Sequence, residues 1–180
     1  PIILVAIFYI VFAVLLDSPR QDFLIFLIVG KIPFQWFSGA VNHSANSIVA
    51  GSALISQIPM QKLFFPLSKV QEDTYKHLAV MCLLLVYVHF FEQGASVAWL
   101  WLLPLMLTQY FLTVAVAVAA ATAVCLVRDA AKLVQLGTLA LMFGSGMFWD
   151  IRSLDPYLQN LVLLWNPIAY LLDAYRQVLL

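Results

Sequence analysis

Charge is what this sequence has least of. Asp, Glu, Lys and Arg make up 10% of its 180 residues, and 64% are hydrophobic, whereas a soluble domain carries roughly a quarter charged residues. Mean hydropathy is +0.97. That much apolar surface has to face lipid, so the class is all-α, a polytopic helical membrane protein. The formal net charge is zero, which argues against nucleic acid as a partner. Cysteine is scarce: Cys82 and Cys125 both sit inside apolar runs, where buried packing is expected rather than a disulfide or a metal site. His43, His77 and His89 are scattered without ligand spacing. The chain has no Walker A sequence, Rossmann fingerprint, HExxH or nucleophile elbow, and no internal repeat, low-complexity tract or soluble domain. Any energised work must draw its energy from another chain.

Five apolar spans can be read. The first covers Pro1 to about Leu16, and a polar turn, Asp17 to Asp22, follows. The second runs from Phe23 to about Ala50 and is the least lipid-like. A polar stretch from about Ser52 to Lys76 leads to a third span, about Tyr75 to Phe91, which Glu92-Gln93-Gly94 closes. Trp99 and Trp101, where aromatic belts sit, open a long fourth span to about Val127. Arg128 to Lys132 is a short polar link, and the fifth span ends near Phe148. Pro1-Ile2-Ile3-Leu4 opens within an apolar run, and Val178-Leu179-Leu180 stops as another begins. The expectation is one transmembrane domain over 1–180, cut at both ends and lacking a signal peptide's basic n-region.

Basic residues set the expected orientation. The 52–76 and 128–132 links hold Lys62, Lys69, Lys76, Arg128 and Lys132 against Glu72, Asp73 and Asp129. The opposite links and tail hold Arg20, Arg152 and Arg176 against Asp17, Asp22, Glu92, Asp150, Asp155 and Asp173. The positive-inside rule puts the first pair of links, and with them the N-terminus, in the cytoplasm.

Within the second span, Ser38, Asn42 and Asn46 recur every four residues, with His43 and Ser47 alongside, giving a helix one polar face. At membrane depth such a face meets either another helix or a water-filled path. Lys31, earlier in that span, is expected to snorkel to the outer interface. Six alanines and Thr122 between Val114 and Val124 favour close helix packing. Gly144-Ser145-Gly146 marks a break or close crossing. From Ser52 to Lys69 an apolar stripe (Leu54, Ile55, Ile58, Leu63, Phe64, Phe65) lies beside Gln57, Gln61 and Lys62. An amphipathic helix along the inner interface fits this pattern, serving as a linker or as a docking helix for a cytoplasmic partner. Glu72-Asp73 reads as a solvated, charge-balanced turn. Asp129 either caps the fifth helix, favourably on dipole grounds, or transmits motion together with Arg128.

Gly30-Lys31-Ile32-Pro33-Phe34-Gln35-Trp36-Phe37, then Asn46-Ser47-Ile48-Val49, Ala53-Leu54-Ile55-Ser56-Gln57 and Phe65-Pro66-Leu67, resemble the second-span and coupling-helix pattern of type-2 ABC permeases. The subgroup is the one exporting O-antigen, capsule or teichoic-acid polysaccharides. Arg128-Asp129 and the tail from Trp165-Asn166-Pro167 through Tyr170, Asp173 and Arg176 fit the later pattern. One departure is Met60-Gln61-Lys62, with an early Pro59, where many relatives have Phe-Pro-Lys.

The resemblance implies an ABC-2 type transmembrane domain with six spans in the full chain. It implies a homodimer, paired with two ATPase subunits, that moves undecaprenyl-linked glycan out of the bacterial inner membrane. ATP and Mg would sit on the partner, with no cofactor or metal on this chain. Ser52, Leu54, Ile55, Gln57, Met60 and Lys62 would dock the ATPase. Trp36, Phe37, Asn42, Asn46, Trp149, Tyr157 and Tyr170 are candidates to line the channel, where aromatic faces suit sugar rings. The Trp149–Tyr175 region would form short helices in the outer leaflet. Alternatives are an ABC-2 exporter of drugs or small lipids, or a membrane-embedded polyprenyl-phosphate glycosyltransferase. The latter should show acidic pairs or an interfacial His, and Glu72-Asp73 is the adjacent acidic pair available to it.

Overall fold

A computed structural model describes residues 23–57, 61–91 and 97–180. The expected first span, the polar turn after it and the Glu92-Gln93-Gly94 closure lie outside the described residues. In chain order the helices are α1 (Phe23–Ala45), α2 (Ser47–Ala50), α3 (Ser52–Gln57), α4 (Phe64–Phe91), α5 (Leu102–Leu126), α6 (Ala130–Gly144), α7 (Pro156–Trp165) and α8 (Pro167–Leu179). A 3-10 turn, Val97–Trp101, leads into α5, and another, Ile151–Ser153, precedes α7. The described residues contain no strand, and the all-α class holds. Val97–Leu126 is long and apolar enough to cross a membrane, and Ala130–Gly144 is a shorter apolar helix.

Three sequence expectations change. The helix that carries the third span begins at Phe64, ahead of the span itself near Tyr75. Pro66 falls in the first turn of α4, where a missing amide donor is tolerated. Lys69 and Lys76 then both pair with Glu72, at 2.8 and 2.7 Å, supporting the polar first turns at helical spacing. Glu72-Asp73 is therefore helix, not a turn. Ser52–Lys69 is likewise not one amphipathic helix: Gln61, Lys62 and Leu63, between α3 and α4, are not helical. Lastly, Cys82 and Cys125 are free and exposed on the subunit surface, because a lipid-facing helix flank is as apolar as an interior one.

α1 is the central helix and packs against α4, α5, α6 and α8. Its Phe26, Phe37, Ala40 and Val41 join Val70 of α4, Ala117 and Val124 of α5, and Leu172 of α8 in one buried cluster. Ala117, Ala120 and Ala121 are buried on α5, so small side chains let that helix approach closely. A second cluster joins Val29 of α1, Met81, Leu84 and Val88 of α4, Leu102 of α5, and Tyr175 and Leu179 of α8. Pro33 lies inside α1, and Gln109 Nε2 of α5 donates to its carbonyl at 2.8 Å. That bond ties α5 to α1 at this turn. The Gly144-Ser145-Gly146 break is present: α6 ends at Gly144, and Gly146 takes φ +68°.

Candidate functional site

The polar face of α1 is engaged in part with other helices. Asn42 Nδ2 donates to Thr138 Oγ1 of α6 at 3.0 Å and to the Ser38 carbonyl at 2.7 Å. His43 Nδ1 lies 2.6 Å from Asp73 Oδ2 of α4. Ser44 Oγ, buried, donates to the Pro66 carbonyl at 3.2 Å, and Ser47 Oγ back-bonds to the Ser44 carbonyl at 2.7 Å. Asn46 and His43 are exposed. Higher on α1, Trp36 Nε1 donates to Thr74 Oγ1 at 3.2 Å, and its ring stacks on His77 with centroids 4.2 Å apart. Trp36 and Phe37 are both buried within the subunit.

Asp73 is buried while Glu72 is exposed, so two adjacent acids have different environments. Lys69 and Lys76 hold the Glu72 carboxyl down at about 2 through hydrogen bonds and charge. Asp73 instead faces His43, with Lys76 Nζ at 3.4 Å. Both acids are paired with bases, and the described residues contain no group of His, Cys, Asp and Glu able to hold a metal.

At the opposite end lie two short helices: α8 packs against α1 and α5, and α7 packs against α8 and the 3-10 turn before it. Asn166 caps α8, accepting from the Ile168 and Ala169 amides at 3.1 Å, while its Nδ2 donates to Ser145 Oγ at 3.0 Å. The Trp-Asn-Pro break is thus a cap, a turn and a tie to the end of α6. Arg176, buried, donates from Nη1 to the Gly146 carbonyl at 2.8 Å and from Nη2 to the Met147 carbonyl at 3.0 Å. Its guanidinium carbon lies 3.6 Å from the centroid of Phe26 on α1. Arg152 reaches both carboxylate oxygens of Asp173, at 3.2 and 3.3 Å. The aromatics here differ in exposure: Trp149 is half-buried and donates to the Phe143 carbonyl at 3.0 Å, whereas Tyr157 and Tyr170 stand exposed. Lys31 is half-buried on α1.

Ser52, Leu54 and Gln57 of α3 and Lys62 beyond it are exposed; Ile55 lies in α3, and Met60 falls outside the described residues. Arg128 and Asp129 are exposed in the link between α5 and α6. Asp129 occupies the N-cap position of α6, but its side chain makes no capping hydrogen bond, so any help it gives the helix is electrostatic. The channel candidates do not converge in one subunit: Trp36 and Phe37 are interior, Asn42 bridges α1 and α6, and Tyr157 and Tyr170 lie on the outside. The His43–Asp73 pair, the Trp36–His77 stack and the Arg176 anchor were not read from sequence. For Arg176 the available signal was a cation in a mostly apolar helix.

The described residues form an all-α bundle. No protein-family model matches the chain. It is similar to two Klebsiella pneumoniae proteins, each named O-antigen export system permease protein RfbA. The identities are 23% and 22%, each over 99% of this chain and 69% of the relative. The similarity runs through almost all of the chain and supports the resemblance to type-2 ABC permeases of the O-antigen export type.

Proposed function

We propose that this chain is the membrane-spanning permease subunit of an ABC exporter that moves lipid-linked polysaccharide across the bacterial inner membrane. The observation that carries the reading is similarity over 99% of the chain to O-antigen export permeases. The subunit works as a homodimer and performs no chemistry itself; ATP and Mg act on separate ATPase subunits. The exposed α3 and Lys62 form the ATPase-docking surface, with Arg128 and Asp129 in the neighbouring link. Exposed Tyr157 and Tyr170 meet the glycan near its exit, and the α1 face around Asn42 and Asn46 borders the path when two copies assemble. The N-terminus is cytoplasmic on the charge argument given above.

The test is the location of lipid-linked glycan in cells depleted of the full-length protein. Completed, undecaprenyl-linked polysaccharide is expected to accumulate on the cytoplasmic side. Absent or unfinished glycan would move the protein to synthesis. Normal surface glycan would leave export of a smaller cargo as the better reading.

A further inference from the structure

α4 is 28 residues long, about 42 Å at ~1.5 Å per residue, and so outruns the ~30 Å hydrocarbon core. The excess lies at the end that carries Lys69, Glu72 and Lys76, all exposed and ion-paired. Tyr75, 65% exposed among them, stands where aromatic belts sit. From Tyr75 back to Phe64 is roughly 16 Å along the helix axis, and back to Leu67 roughly 12 Å. Headgroups occupy only about 5–8 Å on each side of the core. Even a tilt of about 40° leaves both residues beyond them, in water.

This projecting end is nonetheless apolar. The Leu67 amide donates to the Leu63 carbonyl at 3.3 Å, so Leu63, Phe64 and Leu67 share one helical face. They are 49%, 55% and 40% exposed. Behind them Phe65 is half-buried. A Cβ at Gly51 would collide with its ring, so the turn between α2 and α3 closes onto it. The Phe64 ring stands edge-on to Phe65, with centroids 6.0 Å apart. Phe64 is thus held at the joint with α3 while its outer face stays open. The exposed charges from 61 to 76 are Lys62, Lys69 and Lys76 against Glu72, because Asp73 is buried. The surroundings of the patch are therefore positive.

We propose that Leu63, Phe64 and Leu67 are the apolar anchor of the docking surface and enter a socket on the ATPase, apolar at its floor and acidic at its rim. The identity of the partner rests on the export reading; the anchor itself rests on the height and exposure of these three residues. Lipid does not reach them at that height, and Phe lacks the polar edge that suits Trp and Tyr to the headgroup layer. An apolar patch held in water and rimmed by charge marks a protein contact. A ring already fixed by its neighbours loses little freedom on binding, so Phe64 supplies affinity while Lys62 steers the encounter.

The experiment purifies the full-length protein with its ATPase subunits from membranes. Phe64→Ser is expected to weaken ATPase binding by about tenfold or more with the amount of permease in the membrane unchanged, and Phe64→Leu should keep most of it. Binding equal to wild type in Phe64→Ser would overturn the anchor and leave the export reading standing. Absence of any ATPase from the wild-type preparation would overturn both. Should Phe64→Ser fail to accumulate, benzoylphenylalanine placed at position 64 is photo-activated in intact cells. An adduct with the ATPase subunit is expected; adducts confined to phospholipid, to a second copy of this chain or to any other protein would overturn the proposal.

Discussion

Replacing Arg176 by Met keeps most of the side-chain length while removing its charge and donors. Two buried carbonyls, of Gly146 and Met147, would each lose a charge-assisted partner. An acceptor stranded in this way costs about 1–3 kcal/mol. The contact of the guanidinium with the Phe26 ring adds about 1 kcal/mol or more when desolvated. Together these predict a loss of about 3–7 kcal/mol. Hydrogen bonds measured within membranes average well below 1 kcal/mol, which lowers the floor of the expectation to about 2 kcal/mol. Arg176→Lys should recover about half, since an ammonium is a point donor and cannot span both carbonyls as the planar fork does. The assay is reversible unfolding of the full-length protein in mixed micelles, with limited proteolysis of the 145–155 segment as a local readout. Arg176→Met should expose that segment to cleavage under conditions where the wild type resists. A loss under about 0.5 kcal/mol, which is the range of ordinary surface substitutions, with proteolysis unchanged, would refute the anchor.

Gly146→Ala should destabilise by about 1–3 kcal/mol, because φ is +68° and the new Cβ would meet Ile151 Cγ1 at 2.5 Å. Gly137→Ala, with nothing within 4 Å, should be neutral or gain up to about 1 kcal/mol on helix propensity; the same unfolding assay compares them, and equal losses would refute the contrast. Asp73→Ala should cost about 0.5–1.5 kcal/mol, the net worth of its hydrogen bond to the exposed His43, and an Asp73→Ala midpoint equal to wild type would count against that tie. Glu72 is expected to stay ionised throughout the neutral range: its depressed carboxyl contributes above the ordinary carboxylate range and is lost only as pH falls through about 2. The Glu72→Gln minus wild-type difference should therefore be flat between roughly pH 5 and 8, and a slope there would refute the Lys69–Glu72–Lys76 arrangement. Gln57→Ala with Lys62→Glu should lower copurification of the ATPase subunits without lowering the amount of permease in the membrane; unchanged binding and export would remove α3 as the docking surface.

What was legible in the sequence is what short-range pattern encodes. Apolar run lengths marked α1, α5 and α6, the alanine run marked the close face of α5, and Gly144-Ser145-Gly146 marked the end of α6. Asn166-Pro167 announced the start of α8, because a cap residue before proline is local chemistry. The start of α4 was missed because composition alone separates a polar link from a polar helix turn poorly. Only the i,i+3 and i,i+4 ladder through Lys69, Glu72 and Lys76 resolves it. Pairings between distant residues leave no local trace: Asn42 meets Thr138 across 96 positions, and His43 meets Asp73 across 30. The cysteines misled for a different reason. An apolar run identifies the medium around a helix but not which flank faces protein and which faces lipid.

The polar ties explain why α1, rather than the more apolar α5, organises the bundle. Between helices in lipid, apolar contact alone specifies little, since hydrocarbon tails solvate leucine as well as another leucine does. Direction and register must then come from hydrogen bonds and shape. α1 is a partner in most of the interhelical polar contacts: Trp36, His43 and Ser44 to α4, Asn42 to α6, and the Pro33 carbonyl to Gln109 of α5. Phe26 under Arg176 adds a tie to α8 near its other end. Bonds at both ends and in the middle fix the rotation of α1 about its axis as well as its height, which a single bond could not do. α5 has one such bond to α1, through Gln109, and one to α4, through Tyr110; the rest of its packing is largely apolar, from Leu102 to Ala117 and Val124, and sets no register by hydrogen bonding. The physical consequence is a rigid α1–α4 pair, with α5 and α6 held more by fit than by bonds, so relative motion in this subunit should concentrate between α5 and the α1–α4 pair rather than within that pair.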